Sequence, residues 1–147
     1  YKLCAHAGEE GLAKFIWGSL NVLKVDRIDH GNRCLDDKKL VKHLADLQMP
    51  LTLCPLSNLE LKVIQNLKDY PLRKMMEHNL LVTINSDDPA YFGGYINENF
   101  IATAEALELS LEEIVTLLKN GFQATWLDED EKLGWCEMID ELAEDLK

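Results

Sequence analysis

Four short apolar runs recur along the chain, and each ends where polar or small residues favour a turn. A run of this length and composition is typical of a buried strand. Each run is followed by a stretch with helical periodicity, and roughly 25 to 30 residues make up one such strand-plus-helix unit. Repeated units of this kind predict parallel strands whose carboxyl ends meet at one edge of a sheet. The predicted strands cover residues 2–5, 25–28, 51–54 and 80–84.

The same periodicity predicts six helices between and after the strands. Asp36 or Asp37 can cap the second helix, and Ser110 and Glu113 have the form of a capping box for the fifth. Gly121 is predicted to end the fifth helix. The predicted helices cover about residues 10–23, 37–47, 71–77, 94–109, 111–120 and a segment that follows residues 128–131. Their apolar faces are Phe15, Ile16, Leu20 and Leu23 in the first helix, Leu40, Leu44 and Leu47 in the second, and Trp135, Met138, Ile139, Leu142 and Leu146 in the last.

The number of strand–helix units sets the predicted architecture. A complete (β/α)₈ barrel needs about 250 residues, whereas this chain has 147 residues and four such units. We therefore expect an α/β fold that is the C-terminal half of a (β/α)₈ TIM barrel, with further helices at the C-terminus. Residues 1–147 would form a partial barrel domain that lacks the N-terminal strands of a longer enzyme. A smaller open α/β domain is the alternative.

Composition argues against nucleic acid and membrane as partners of this chain. The formal net charge is −11 and the sequence pI is about 4.7, which argues against binding to a nucleic-acid backbone. The apolar runs are far shorter than a membrane span. The four cysteines lie far apart and form no C-x-x-C pair, so we interpret them as reduced, mostly buried residues of a cytoplasmic protein.

Side chains that can bind a metal or transfer a proton stand at the ends of the predicted strands. Imidazole and carboxylate groups together suit a Zn²⁺ ion that keeps one position open for water. Such an ion generates hydroxide near neutral pH, and a neighbouring glutamate that does not bind the metal can carry protons. We expect one rim of the sheet to carry His6, Glu9, His30, Asn58, Asp87 and Asp88.

Four motifs in this order resemble the second half of the adenosine/adenine deaminase family. The resemblance covers about residues 2–100 and implies a zinc (β/α)₈ barrel that hydrolyses the 6-amino group of a purine. The motifs are His6-Ala7-Gly8-Glu9, Asp29-His30-Gly31, Cys54-Pro55-Leu56-Ser57-Asn58 and Ser86-Asp87-Asp88-Pro89.

The resemblance also implies a role for each rim residue. His6 and Asp87 would be zinc ligands, and Glu9 would protonate the purine ring nitrogen N1. His30 would orient and polarise the hydroxide on zinc. Asp88 would contact the purine, at N7. The family's other zinc ligands form a His-x-His pair, and this sequence contains no such pair.

Asp29 bears on the choice of substrate. Typical adenosine deaminases have glycine before the His-Gly pair, and the segment that follows Asp88 also resembles the adenine-deaminase branch. The Asp29 carboxylate could accept a hydrogen bond from the imidazole-ring N–H of free adenine, which adenosine lacks. Alternatively, Asp29 orients His30.

Three hypotheses follow for function. The first is zinc-dependent deamination of adenine to hypoxanthine and ammonia in purine salvage, by a longer protein of which this chain is part. The second is the same chemistry on adenosine. The third is a half-barrel without catalysis that acts as a binding or assembly module. Self-association through the open half-barrel is compatible with each of them.

Overall fold

The computed structural model describes residues 1–146, which form one four-stranded parallel sheet with helices packed against it. Strand order follows chain order, as the repeated strand–helix units predict. Each strand therefore pairs with the next one along the chain, and all carboxyl ends lie at one edge. The strands are β1 Cys4–Ala7, β2 Arg27–His30, β3 Leu51–Leu53 and β4 Val82–Ile84.

The register of the sheet aligns polar side chains in one row across the strands. His6 pairs with Asp29, Asp29 with Thr52, and Thr52 with Thr83. Alternate residues of a strand point to opposite faces, so Ile28 lies on the other face from Asp29 and is fully buried. One face thus packs against helices, while the other carries the polar row.

Eight α-helices follow or connect the strands within residues 1–146. Two of them, α3 and α5, are short helices of six and four residues that begin with proline, whose fixed φ suits the first helical position. The helices are α1 Ala13–Gly18, α2 Lys38–Leu47, α3 Pro55–Glu60, α4 Leu72–Glu77, α5 Pro89–Phe92, α6 Ile96–Leu107, α7 Leu111–Gln123 and α8 Glu129–Glu144. A π-helical segment, Ser19–Leu23, continues α1, and 3₁₀ turns occupy Asn32–Asp36 and Leu67–Asp69.

Local capping signals agree with the structure. The Asp37 carboxylate accepts hydrogen bonds from the first turn of α2, and the Trp17 indole also donates to it at 2.9 Å. Ser110 and Glu113 form the predicted capping box of α7. These bonds satisfy N–H groups that have no partner inside the helix.

Two predicted helix boundaries are wrong. The first helix begins at Ala13 rather than near Glu10, because residues 8–11 form a bend at the end of β1. The fifth predicted helix, α7, continues through Gly121 to Gln123. A Cβ atom on Gly121 would meet nothing within 4 Å, so this glycine is simply a residue of the helix interior.

The predicted apolar faces are only partly buried. Ile16, Leu20, Leu40 and Leu44 belong to the core, whereas the outer members of the same predicted faces remain exposed. In α8 the buried residue is Cys136, because this helix packs on α7 through that side. The exposed members of the predicted faces are Phe15, Leu23, Leu47, Trp135, Met138, Leu142 and Leu146.

Cysteine burial also differs at one position. Cys34, Cys54 and Cys136 are buried, but Cys4 is exposed because it lies on the face of β1 that no helix of the described residues covers. All four thiols are free. None of the helices within residues 1–146 has the length and apolar character needed to cross a bilayer.

Candidate active site

Two histidines from neighbouring strands meet at the carboxyl edge of the sheet. His6 belongs to β1 and His30 is the last residue of β2. The His30 Nε2 and His6 Nδ1 atoms are 3.1 Å apart, within hydrogen-bond distance. His30 is 1% exposed, whereas the His6 side chain is 69% exposed. His6 is therefore the imidazole that is open to a ligand from outside.

The backbone at two predicted site residues is left-handed. His30 has φ 67° and Asp87 has φ 58°. Most other non-glycine residues with positive φ, such as Gln48 and Glu108, terminate helices, where this conformation is common. His30 and Asp87 instead stand at or just beyond the ends of strands. Such conformations cost free energy and concentrate at functional sites.

Gly8 permits the turn that carries Glu9 towards His30. Its φ is +69°, and an added Cβ would lie 2.8 Å from Ile16 Cγ1, which is too close. Because Ile16 is fully buried, its side chain has no space into which to move. Glycine at this position therefore satisfies both the backbone conformation and the close packing of the turn on α1.

Glu9 lies between His30 and Asn58. Its Oε1 atom is 3.5 Å from His30 Nδ1 and accepts a hydrogen bond of 2.8 Å from Asn58 Nδ2. Burial lowers the pKa of His30 below its ordinary value, and the carboxylate of Glu9 opposes this effect. The imidazole of His30 is therefore neutral near pH 7 and has a free electron pair that can accept a hydrogen bond or a proton.

Asp87 and Asp88 follow β4 and differ in their contacts. The Ser57 hydroxyl donates a 2.7 Å hydrogen bond to Asp87 Oδ2, which restrains that carboxylate. Asp88 occupies the N-cap position of α5, but its side chain makes no capping hydrogen bond and is exposed. The Asp87 carboxylate is thus held by the Ser57 hydroxyl, whereas the Asp88 carboxylate makes no capping bond.

Asp29 is held by neighbours in the polar row of the sheet. Its Oδ1 atom accepts hydrogen bonds from Arg27 Nε at 3.1 Å and from Thr52 Oγ1 at 2.9 Å. Its Oδ2 atom lies 3.8 Å from His6 Nε2. The Arg27 guanidinium also stacks over the Trp126 ring, 4.6 Å from its centroid. Asp29 contacts His6 through Oδ2, and both roles predicted for it, substrate contact and orientation of His30, stay predictions.

An open cavity of about 340 Å³ is lined by four of the residues predicted to bind metal, bind substrate or transfer protons, namely His6, Asp29, His30 and Asp87. Glu9 instead borders two smaller depressions, one of which shares His6. Asp88 lies outside the cavity wall, next to Asp87. The cavity is lined by His6, Arg27, Asp29, His30, Thr52, Cys54, Asn85, Ser86, Asp87 and Ile96.

Two overlapping groups of side chains have the spacing of metal ligands. His6, Glu9 and His30 place one ligand atom each within 4.8 Å of one another, and so do His30, Cys54 and Asp87. Burial raises the pKa of the Cys54 thiol, so this group is protonated when no metal is bound. His6 belongs to the first group and Asp87 to the second, and neither group contains both of them. Their nitrogen and oxygen donors suit Zn²⁺.

The buried Nδ1 atom of His30 supports a polar ligand at the rim of the sheet around this residue. Within residues 1–146, His30 Nδ1 is buried without a hydrogen-bond partner, although buried polar atoms usually have one. The donor chemistry and this atom together make the rim around His30 a candidate metal and substrate site.

Several residues that shape the site were not predicted. Ser57 belongs to one of the four motifs, but the motif alone does not indicate its bond to Asp87. The charge of Arg27 inside an apolar run is a signal in the sequence that this residue has a polar partner. Tyr70 donates a hydrogen bond of 2.9 Å to Asn58 Oδ1. No local pattern could reveal this contact, because the tyrosine follows a 3₁₀ turn outside the strand ends.

Comparisons with known proteins show which sequences and folds the chain resembles. A family model described as adenosine deaminase matches residues 1–142. An adenine deaminase of Crocosphaera subtropica is 56% identical over 128 residues, which are 87% of this chain and 39% of that protein.

Two solved structures share the fold of the chain. The crystal structure of adenine deaminase from Arthrobacter aurescens is 43% identical with a TM-score of 0.95, covering 97% of this chain and 44% of that one. A Burkholderia ambifaria amidohydrolase with bound Zn is 27% identical with a TM-score of 0.88, covering 99% and 42%. These matches confirm the predicted fold class, and the chain spans about two fifths of the length of the relatives it matches.

Proposed function

Because the chain belongs to the adenosine deaminase family, we propose that the protein containing it is a zinc-dependent adenine deaminase. The reaction would convert adenine and water to hypoxanthine and ammonia. Relatives described as adenine deaminases share 48–56% identity with the chain, and the Arthrobacter structure carries the same description. The observation that carries the proposal is the convergence of His6, Glu9, His30 and Asp87 at one edge of the sheet.

His6 and Asp87 are the proposed zinc ligands of this segment. The related amidohydrolase with bound Zn supports zinc as the metal. Zinc bound there would lower the pKa of a water molecule and so favour its attack on a ring carbon. Ser57 would hold Asp87 in place through its 2.7 Å hydrogen bond.

Glu9 and His30 would carry the proton transfers. Protonation of the purine N1 by Glu9 would draw electrons away from C6 and make that carbon open to attack by water. His30, which burial keeps neutral, can accept a hydrogen bond or a proton from the attacking water. The 6-amino group would then take a proton from His30 and leave as ammonia, while the oxygen on C6 would give its remaining proton to the Glu9 carboxylate and become the carbonyl oxygen.

Asp29 and Asp88 are the proposed substrate contacts. Asp29 lines the cavity, and its Oδ2 atom is not one of the acceptors used by Arg27 and Thr52. This oxygen could accept a hydrogen bond from a ring N–H of free adenine. Asp88 is exposed beside Asp87, and we propose that it contacts the purine at N7.

The test is the ratio of kcat/KM for adenine to that for adenosine in the full-length protein. We expect adenine to be preferred, because ribose on the ring nitrogen would leave a buried acceptor unpaired. Sites of this type can discriminate by about 10⁴-fold. The Asp29→Gly variant should lose most of this preference, and Asp36→Gly, on the exposed 3₁₀ turn, is the matched control that should keep it.

Each outcome has a distinct meaning. A wild type that prefers adenosine would point to the nucleoside activity, and one without deaminase activity would refute the proposal. If the wild type prefers adenine but Asp29→Gly has the same ratio, the shape of the cavity rather than Asp29 selects the substrate.

The cellular context is part of the same proposal. Conversion of adenine to hypoxanthine would serve purine salvage. The free thiols of all four cysteines are typical of proteins in a reducing compartment, and we propose a cytoplasmic location.

A further inference from the structure

Asn58 is a fully buried polar residue beside the proposed proton carrier. It lies in α3, directly after β3, and none of its surface is exposed. Burial of an amide is unfavourable unless its polar atoms find partners. Asn58 has three such contacts, with Glu9, Asn32 and Tyr70.

The charge of Glu9 dictates which way the Asn58 amide faces. A carboxylate only accepts hydrogen bonds, so Asn58 must present Nδ2 to Glu9 Oε1, 2.8 Å away. Its Oδ1 atom then faces two donors, Asn32 Nδ2 at 2.7 Å and the Tyr70 hydroxyl at 2.9 Å. Both sides of the amide are thus matched to their surroundings.

Two side-chain nitrogens approach the same oxygen of Glu9. Asn58 Nδ2 donates to Oε1, and His30 Nδ1 is 3.5 Å from that atom. The hydrogen bond that Oε1 accepts from Asn58 stabilises negative charge on this oxygen, so protonation of the other oxygen is favoured. The Glu9 side chain keeps 19% exposure, so its other oxygen can face a substrate.

From these contacts we infer that Asn58 is a positioning residue, which holds Glu9 so that Oε2 rather than Oε1 carries the transferred proton. This inference rests on the proposed function. Glu9 Oε2–H would give its proton to N1 of the purine and become a carboxylate, with Oε1 still bound to Asn58. The amide thereby fixes both the place of the carboxyl group and the oxygen that reacts.

A double-mutant cycle in the full-length, zinc-loaded protein tests the inference. We expect Asn58→Leu to lower kcat for adenine by about 10- to 100-fold, which corresponds to a hydrogen bond to a charged group. KM and the zinc content should change by less than about 3-fold. In the Glu9→Gln background, Asn58→Leu should change the residual kcat by less than about 3-fold, because the group through which it acts is already disabled.

The matched control is Asn120→Leu. Asn120 Nδ2 donates a 2.9 Å hydrogen bond to the Val82 carbonyl, at the start of β4 and thus at the edge opposite the site. This variant should lower the melting temperature but keep kcat.

Three results would overturn the inference while leaving the proposed function intact. They are an unchanged kcat in Asn58→Leu, an equal loss of kcat in both Glu9 backgrounds, and a rise of KM in place of a fall in kcat. Asn58→Asp, which keeps the volume of the side chain, takes the place of Asn58→Leu in the cycle if the latter does not fold. A wild type that does not deaminate adenine would instead refute the proposed function.

Discussion

The side chains around His30 differ in how they are held, and this difference supports the separate tasks that we propose for them. His30 is buried and Glu9 is bound by Asn58, so both have fixed positions. His6 and Asp87 are exposed, as groups that bind an external ligand need to be. The arrangement therefore separates residues suited to proton transfer from residues suited to metal binding.

Substitution of Glu9 and Asp87 should separate these tasks in the full-length protein. Glu9→Gln keeps the shape of the side chain but removes the proton carrier, so kcat should fall at least about 10²-fold with zinc retained. Asp87→Ala removes a charged ligand and should lose zinc together with activity. Steady-state kinetics and metal analysis of the same samples provide the measurement.

Glu10→Gln is the matched control for the glutamate substitution, because Glu10 is the next residue along the chain and is exposed. It should keep both rate and zinc. A near-normal rate in Glu9→Gln would assign the proton transfer to another group, and retention of zinc in Asp87→Ala would remove that residue from the ligand set.

At the scale of elements, a bidentate ion pair joins α4 to the beginning of α7. Arg73 Nε and Nη2 donate to the two carboxylate oxygens of Glu113 at 2.8 and 3.1 Å. The Arg73 hydrogen bond, together with the backbone N–H of Ser110, lowers the pKa of Glu113. Because Glu113 also belongs to the capping box of α7, this pair fixes the helix that packs against β4.

The lowered pKa of Glu113 predicts a stability difference that depends on pH. Its folded-state pKa lies below the unfolded value, so the pair stabilises the fold fully above the unfolded value of about 4.5 and loses this effect as the pH falls through the folded value. Arg73→Gln should therefore lower the melting temperature at pH 7, and the difference from wild type should shrink as the pH falls below about 4.5.

Thermal unfolding of the zinc-free protein across this range provides the measurement. Lys42→Gln removes a charge from the exposed i,i+4 pair with Asp46 and should change the melting temperature much less, because exposed pairs contribute little. A difference between Arg73→Gln and wild type that stays constant down to pH 3 would show that the ion pair is not its source.

At the scale of the whole molecule, the face of the sheet that carries the polar row is open at β1, whereas Thr83 at its β4 end is buried. Cys4 and His6 are exposed on this face, and β1 and β4 are the edge strands. Open edges and an uncovered face are surfaces on which further strands or a second copy can pack. We propose that further strands complete the site in the full-length protein, and that self-association is possible for the 147-residue chain alone.

The 147-residue chain should therefore bind zinc weakly or not at all, whereas the full-length protein should hold it tightly. Only two proposed ligands, His6 and Asp87, come from this segment, and two ligands hold zinc far more weakly than a preformed site with four. Zinc analysis of both proteins after dialysis against a chelator is the measurement. Stoichiometric zinc that survives dialysis in the short chain would show that this segment contains further ligands.

Local sequence signals determined much of this fold. The existence of four strands, the cap at Asp37 and the box at Ser110 depend on residues within a few positions of one another, so they could be predicted from the chain alone. The strand bounds were less exact, because β1 and β2 lie two residues later than predicted, at Cys4–Ala7 and Arg27–His30. The parallel order of the strands also followed, because strand–helix units connect in one hand and leave their polar ends at one edge. From these features we could predict that the rim residues lie together at one edge of the sheet.

Only the tertiary structure decided how those residues contact one another. The left-handed backbone of His30 and Asp87, the bond of Tyr70 to Asn58 and the row that joins Asp29 to Thr52 have no local signature. They depend on the register of parallel strands and on packing between segments that are distant in sequence, 23 residues apart for Asp29 and Thr52. For the same reason periodicity gave only part of the side of α8 that meets α7. Trp135 of the predicted face stacks on Phe122 of α7, but the buried residue of the helix is Cys136, since burial depends on the neighbour as well as on the helix.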